Sequence, residues 1–167
     1  MNKRILIIAL FTGLLGLCGC SSKKNDKTLQ TQTDLQEMAV RPETLKQILE
    51  AFNRHDLDAI MDFFADDCSL DMPRGPDPWG QRVVGKDQVR EALAGRFKGI
   101  PDVQYEDDRH WIAADRGVSE WTLTGTTTSG VHLKLRGCDL WEFRNGKVAR
   151  KDSYWKIVDQ ATQPTIK

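Results

Sequence analysis

The sequence has no surplus of either charge: 24 lysines and arginines stand against 24 aspartates and glutamates in 167 residues. A nucleic-acid backbone is held by a clearly basic surface, so this balance speaks against nucleic acid as a partner. Apolar runs are short as well. The run from Ile5 to Leu17 falls below the roughly 20 residues that cross a bilayer comfortably. The four cysteines form no CxxC pair, which removes the usual redox and zinc motifs. There is no HExxH, no glycine-rich phosphate loop and no serine or cysteine nucleophile motif. No metal and no cofactor is expected. What remains is an ordinary globular mixture, 40% apolar and 29% charged, at a length that favours one folded domain.

Lys3 and Arg4 precede the apolar run, which leads straight into Leu17-Cys18-Gly19-Cys20. This stretch resembles a bacterial lipoprotein signal, with Leu three positions before a cysteine and a small residue just before it. The resemblance implies cleavage before Cys20 and lipid on the new N-terminus. Residues 1–19 are then the signal peptide and 20–40 a polar, lipidated tether. A domain is expected over 41–160, with a tail at 161–167. The expected location is the cell envelope, and Ser21 in place of Asp implies the outer membrane facing the periplasm in a Gram-negative cell. Without residues 1–19 the balance becomes 22 basic to 24 acidic, so attachment would come from lipid rather than from a basic surface. Cys68 and Cys138 remain, and buried free thiols are favoured over a disulfide.

Pro42 and Glu43 suit a first helical turn, and Leu45, Ile48, Leu49 and Phe52 repeat at helical spacing. Asp56 is a plausible N-cap for a second helix bearing Leu57, Ile60, Met61 and Phe64. A short strand is expected at Cys68–Met72. Residues 73–80 hold three prolines and two glycines and read as a loop. Val89, Ala92, Leu93 and Phe97 mark a third helix, closed near Pro101. From there four strands are expected, near 103–113, 117–128, 131–143 and 147–157, with Asn145-Gly146 as a hairpin signal. The fold class is α+β, with three N-terminal helices in the concave face of a strongly curved, mostly antiparallel sheet.

Alternation in the strand 131–143 puts Leu133, Leu135, Gly137, Asp139, Trp141 and Phe143 on one face. Asp139 is its lone carboxylate. Such a group either finds a partner or rises in pKa, and perturbed acids gather at functional sites. Trp121, Trp141 and Trp155 share the inward parity and are candidates for an aromatic lining. Arg74, Trp79 and Arg82 belong to the stretch read as a loop over the mouth. His110 shares the parity of Ile112. His132 goes with Lys134 and Arg136 on the outer face. The pairs Asp66-Asp67 and Asp107-Asp108 are expected to cap or solvate element ends.

DLDAIMDFFADD (56–67), the helix led by Gly85, and CDLWEFRNGKVARKDSYW (138–155) together resemble the nuclear transport factor 2-like superfamily. That superfamily holds the SnoaL-like polyketide cyclases and the ketosteroid isomerases. The resemblance implies a cone-like barrel but no single reaction, because the fold hosts many activities. Ketosteroid isomerases use a carboxylate base with a Tyr and a protonated Asp in the oxyanion hole. Asp139 falls on the oxyanion-hole Asp. Met72 falls on the base, with Asp71 one residue early, so Asp71 could serve only if a bulge re-aimed it. Ile48 falls on the Tyr. This departs from steroid isomerisation and sits closer to the SnoaL-like branch. The implied function is a pocket for a small apolar carbonyl compound, with acid–base catalysis of isomerase or cyclase type through Asp139 and Asp71. Trp79, Trp121, Trp141, Trp155 and Arg74 are the candidate ligand contacts. The alternatives are a non-catalytic binder of hydrophobic ligands and a homodimeric interaction module at the membrane surface, paired through the outer face of 131–143.

Overall fold

The structure is a computed structural model, and it describes residues 40–158. The expected signal peptide, Cys20 and most of the tether lie outside the described residues, as does the tail. Helix α1 (Pro42–Asn53) starts on its proline and buries Leu45, Ile48, Leu49, Ala51 and Phe52. Helix α2 (Leu57–Asp62) is capped by Asp56, whose side chain accepts the Ala59 amide proton at 3.0 Å. Helix α3 (Lys86–Gly99) buries Val89 and Leu93. The first and third helices fall where their periodicity places them; the second ends at Asp62, so Phe64, expected on its apolar face, instead opens the first strand.

The sheet has six strands: β1 (Phe64–Asp77), β2 (Gly80–Val84), β3 (Gln104–Ala113), β4 (Arg116–Thr126), β5 (His132–Arg144) and β6 (Lys147–Trp155). Their order is β2-β1-β6-β5-β4-β3, open at β2 and β3 rather than closed into a barrel. All neighbours are antiparallel except β1 and β6, which run parallel. The chain reaches β6 last and lays it beside β1, in the middle of the sheet. Helix α1 packs on β3 and α3 on β1. The core therefore lies between the helices and one face of the sheet.

The stretch read as a loop is instead the tip of the β1–β2 hairpin. Pairing of β1 with β6 stops at Asp71, so Pro73 and Pro76 lie where that neighbour asks for no amide proton. The glycines are what the turn requires. A Cβ on Gly75 would lie 2.2 Å from the Gln81 nitrogen, and Gly80 takes φ +80°. Cys68 and Cys138 are both free thiols; Cys68 is buried and Cys138 only half-buried.

One irregularity decides which side chains face the core. Phe143 pairs with Val148 and Glu142 with Arg150, so Ala149 is an extra residue on β6. Such a bulge resets the alternation of its strand. Val148 and Lys151 consequently both turn inward, three positions apart, and Ser153 follows Lys151 on the same face.

Candidate functional site

Asp139, at 1% exposure, is buried on the concave face and finds partners on both neighbouring strands. From β4, Trp121 Nε1 donates to its Oδ2 at 2.9 Å. From β6, Ser153 Oγ donates to its Oδ1 at 2.7 Å, and Lys151 Nζ forms a hydrogen-bonded ion pair with the same oxygen. Lys151 Nζ also donates to Ser153 Oγ at 2.6 Å. The ammonium stands 5.2 Å from the Trp141 ring centroid and 5.7 Å from that of Phe52. Aromatic faces attract a cation without accepting its protons in the way an oxygen does. Two of the three ammonium protons are used by Asp139 and Ser153, which leaves one for an acceptor.

Burial pushes the Lys151 ammonium below the usual lysine range; the Asp139 charge opposes this, and the Arg96 charge adds to it. Arg96 comes from α3 and stacks on the Trp155 ring at 5.3 Å, and Arg74 stacks on the same ring at 5.9 Å. Tyr105 closes the cluster, edge-on to Trp121 at 5.2 Å. Burial pushes its phenol up, and Arg96 nearby opposes. The geometry depends on Gly137. A Cβ there would come within 2.4 Å of both the Trp121 ring and the Tyr154 carbonyl oxygen. Only a bare backbone lets the indole lie flat enough to reach Asp139.

Asp71 does not join this cluster, which corrects the expected pairing of the two acids. Around it β1 pairs regularly, from Ser69 to Met72, so no bulge re-aims the side chain. Leu70 faces the core and Asp71 therefore faces the convex side. It is fully buried there by two arginines. Arg82 donates through Nε at 2.6 Å and Nη2 at 2.8 Å, and Arg150 through Nε at 2.8 Å. Arg150 also donates to Glu142 and Asp152. Trp79 stands half exposed at the hairpin turn, against Arg82 rather than near Asp139. Trp121 and Trp141 are core residues with both indole protons committed, and Trp155 is half-buried at the inward end of β6.

The His110 side chain is also largely covered, 7% exposed. Its Nε2 lies 2.8 Å from Asp108 and its Nδ1 2.9 Å from Ser119 Oγ, which also accepts the Trp141 indole proton at 2.9 Å. Asp108 is thus a hydrogen-bond partner of His110 and an ion-pair partner of Lys46 at 2.9 Å, rather than a solvated end residue. The Asp–His–Ser order resembles a nucleophile relay, but Ser119 is fully buried, and its oxygen is occupied in orienting Trp141. A groove of about 450 Å³ on the convex face is lined by Glu120, Arg136, Cys138, Leu140, Tyr154 and Lys156 and reaches Gly137 and Trp155 at the end of β6.

Lys151 is the functional candidate that reading the sequence misses. Counting inward positions from Val148 puts Lys151 outside, whereas counting back from Trp155 puts it inside with Ser153. That disagreement is the trace of the bulge.

An open curved sheet with helices in its concavity and a buried polar cluster at its centre defines the class. Residues 45–151 match the SnoaL-like domain family, and the chain belongs to it. A proposed polyketide cyclase from Xanthomonas campestris pv. campestris is similar in structure, with TM-score 0.60 and 24% identity over 67% of this chain and 87% of that one. A proposed isomerase from Bacillus subtilis gives TM-score 0.60 and 17% identity, covering 74% of this chain and 88% of its own. TerC, co-crystallised with polyporic acid, gives TM-score 0.57 and 20% identity over 68% of this chain and 89% of its own. At these identities the likeness is one of fold. A comparison with curated protein sequences gives no match.

Proposed function

We propose that the protein is an exported, lipid-anchored pocket protein that takes a small apolar carbonyl compound into the concavity and promotes enolisation there. Lys151 supplies the donor for the carbonyl oxygen. In an apolar setting such a donor stabilises the negative charge that develops as an enolate forms. Asp139 acts as its counter-ion and orients it, in place of the two-acid mechanism expected from the sequence. The observation behind this reading is the ammonium held between Trp141 and Phe52 with one proton to spare. Similar structures of proposed cyclase and isomerase type, and one co-crystallised with polyporic acid, support a carbonyl compound as the candidate ligand. Trp155 with Arg74 and Arg96 is the assigned entrance, next in line along the inward face of β6.

The test is a titration of cyclic enones and hydroxyquinones, followed by quenching of the buried tryptophans. Wild type is expected to show saturable quenching, with binding weakened about tenfold in Lys151→Met, the worth of one charge-assisted hydrogen bond. Equal binding by both would remove Lys151 from the site. Solvent exchange at the ligand's α-carbon, followed by deuterium incorporation, separates catalysis from mere binding. A pure binder is the second reading. It is favoured by Asp139, whose oxygens already accept from three donors and are poorly placed to abstract a proton from the ligand's carbon. Bound ligand without exchange would establish it.

The lipid anchor is tested separately. Growth with an alkyne-tagged fatty acid should label the wild-type chain, and Cys20→Ser should abolish the label. Labelling of the Cys20→Ser chain would contradict the assignment.

A further inference from the structure

Lys151 differs from an ordinary oxyanion donor in being an amine that can itself form a bond. The geometry points to Lys151 as an imine-forming residue, whose Nζ condenses with the carbonyl carbon of an apolar ketone while Asp139 carries the protons. This rests on the proposed carbonyl ligand but asks for a covalent step that the hydrogen-bonding role does not need.

Three placements support it. An amine nucleophile must shed a proton, and Asp139 Oδ1 is already hydrogen-bonded to Nζ and can receive it. The amine must then be attractive as a neutral group. Burial of Nζ and the second cation, Arg96, favour the neutral form, against the pull of Asp139 and of the two aromatic faces on the ammonium. A hydroxyl must finally be expelled as water, and Ser153 Oγ bridges Nζ and Asp139, beside the atom where that proton is needed.

Asp139 takes one proton from the ammonium. The nitrogen lone pair attacks the carbonyl carbon, forming the C–N bond, and the proton the nitrogen then sheds passes to the carbonyl oxygen to give a neutral carbinolamine. The C–O bond then breaks, with the hydroxyl leaving as water on a proton returned by Asp139. An ammonium and a ketone become an iminium and water, with no oxidant or reductant. The iminium draws electrons from the neighbouring carbon, which opens proton removal or carbon–carbon bond making and breaking at that position.

A 1,3-diketone tests this without a reductant, because its iminium loses the central proton to give a stable, ultraviolet-absorbing enaminone. The full chain, as its host produces it, is incubated with 1-phenylbutane-1,3-dione. The expected result is one equivalent bound, with the mass of the probe less water, mapped by peptide analysis to Lys151. Its rate should exceed that of the average surface lysine. Lys151→Arg should lose that adduct and keep the charge. If Lys151→Arg does not fold, the peptide map of the wild type decides alone. Saturable tryptophan quenching with no adduct overturns the imine and leaves the binding reading standing. An adduct spread over surface lysines, with Lys151 unmodified, also overturns it. Neither quenching nor adduct overturns both.

Discussion

Lys151→Met should lower the thermal midpoint by about 12–20 °C, and adding Asp139→Asn to the same chain should recover more than half of that loss. The single variant leaves a carboxylate with 1% exposure facing Trp121 and Ser153 but no cation. Removing one partner of a buried pair costs about 3–5 kcal/mol, because the remaining charge stays desolvated. For a domain of this size each kcal/mol moves the midpoint by about 4 °C. Asparagine removes that charge yet keeps an oxygen for the Trp121 indole and an amide for Ser153. Met fills much of the space of the lysine stem between Trp141 and Phe52. Thermal scans of wild type, both single variants and the double variant form a cycle whose coupling isolates the pair. A double variant no better than Lys151→Met would mean that the ion pair is not what holds these strands, and that the loss comes from packing alone.

The same cluster shows what the sequence could and could not convey. Asp139 was legible, because β5 runs without interruption through it and its apolar neighbours define a face. Trp121 and Trp141 followed from the same alternation. Lys151 was not, because one extra residue at Ala149 inverts the count and no residue type announces a bulge. Asp71 could be narrowed to two orientations from the sequence, and regular pairing on both sides then chose the convex one. The prolines at 73 and 76 suggested a loop because their tolerance depends on which edges are unpaired, and that is set by where β1 parts from β6. His110 and Ser119 became partners only through the β3–β4 register, which sets them opposite each other.

The convex face yields the second large effect. Asp71→Asn should destabilise the domain by about 2 kcal/mol at pH 7, and the gap to wild type should close as the pH falls below about 4. Burial pushes the Asp71 carboxyl up, but hydrogen bonds from Arg82 and Arg150 outweigh it and hold the group below the usual aspartate range. A carboxyl lowered in the folded state contributes stability that is fully present above its unfolded pKa. That contribution is lost as the pH falls through the folded value. The cost stays under that of a fully buried pair because the guanidinium of Arg82 is 45% exposed and that of Arg150 is 30% exposed, so water takes over part of the loss. Asp152 works in the opposite direction. Burial raises it, the Arg150 charge lowers it, and the Asp71 charge adds to the rise, so removing Asp71 leaves Arg150 more fully to Asp152. Urea titrations of both chains between pH 7 and pH 2 measure the gap directly. A gap that stays constant across that range would show that Asp71 acts through its shape and hydrogen bonds rather than its charge. The charge account requires the two curves to converge in acid.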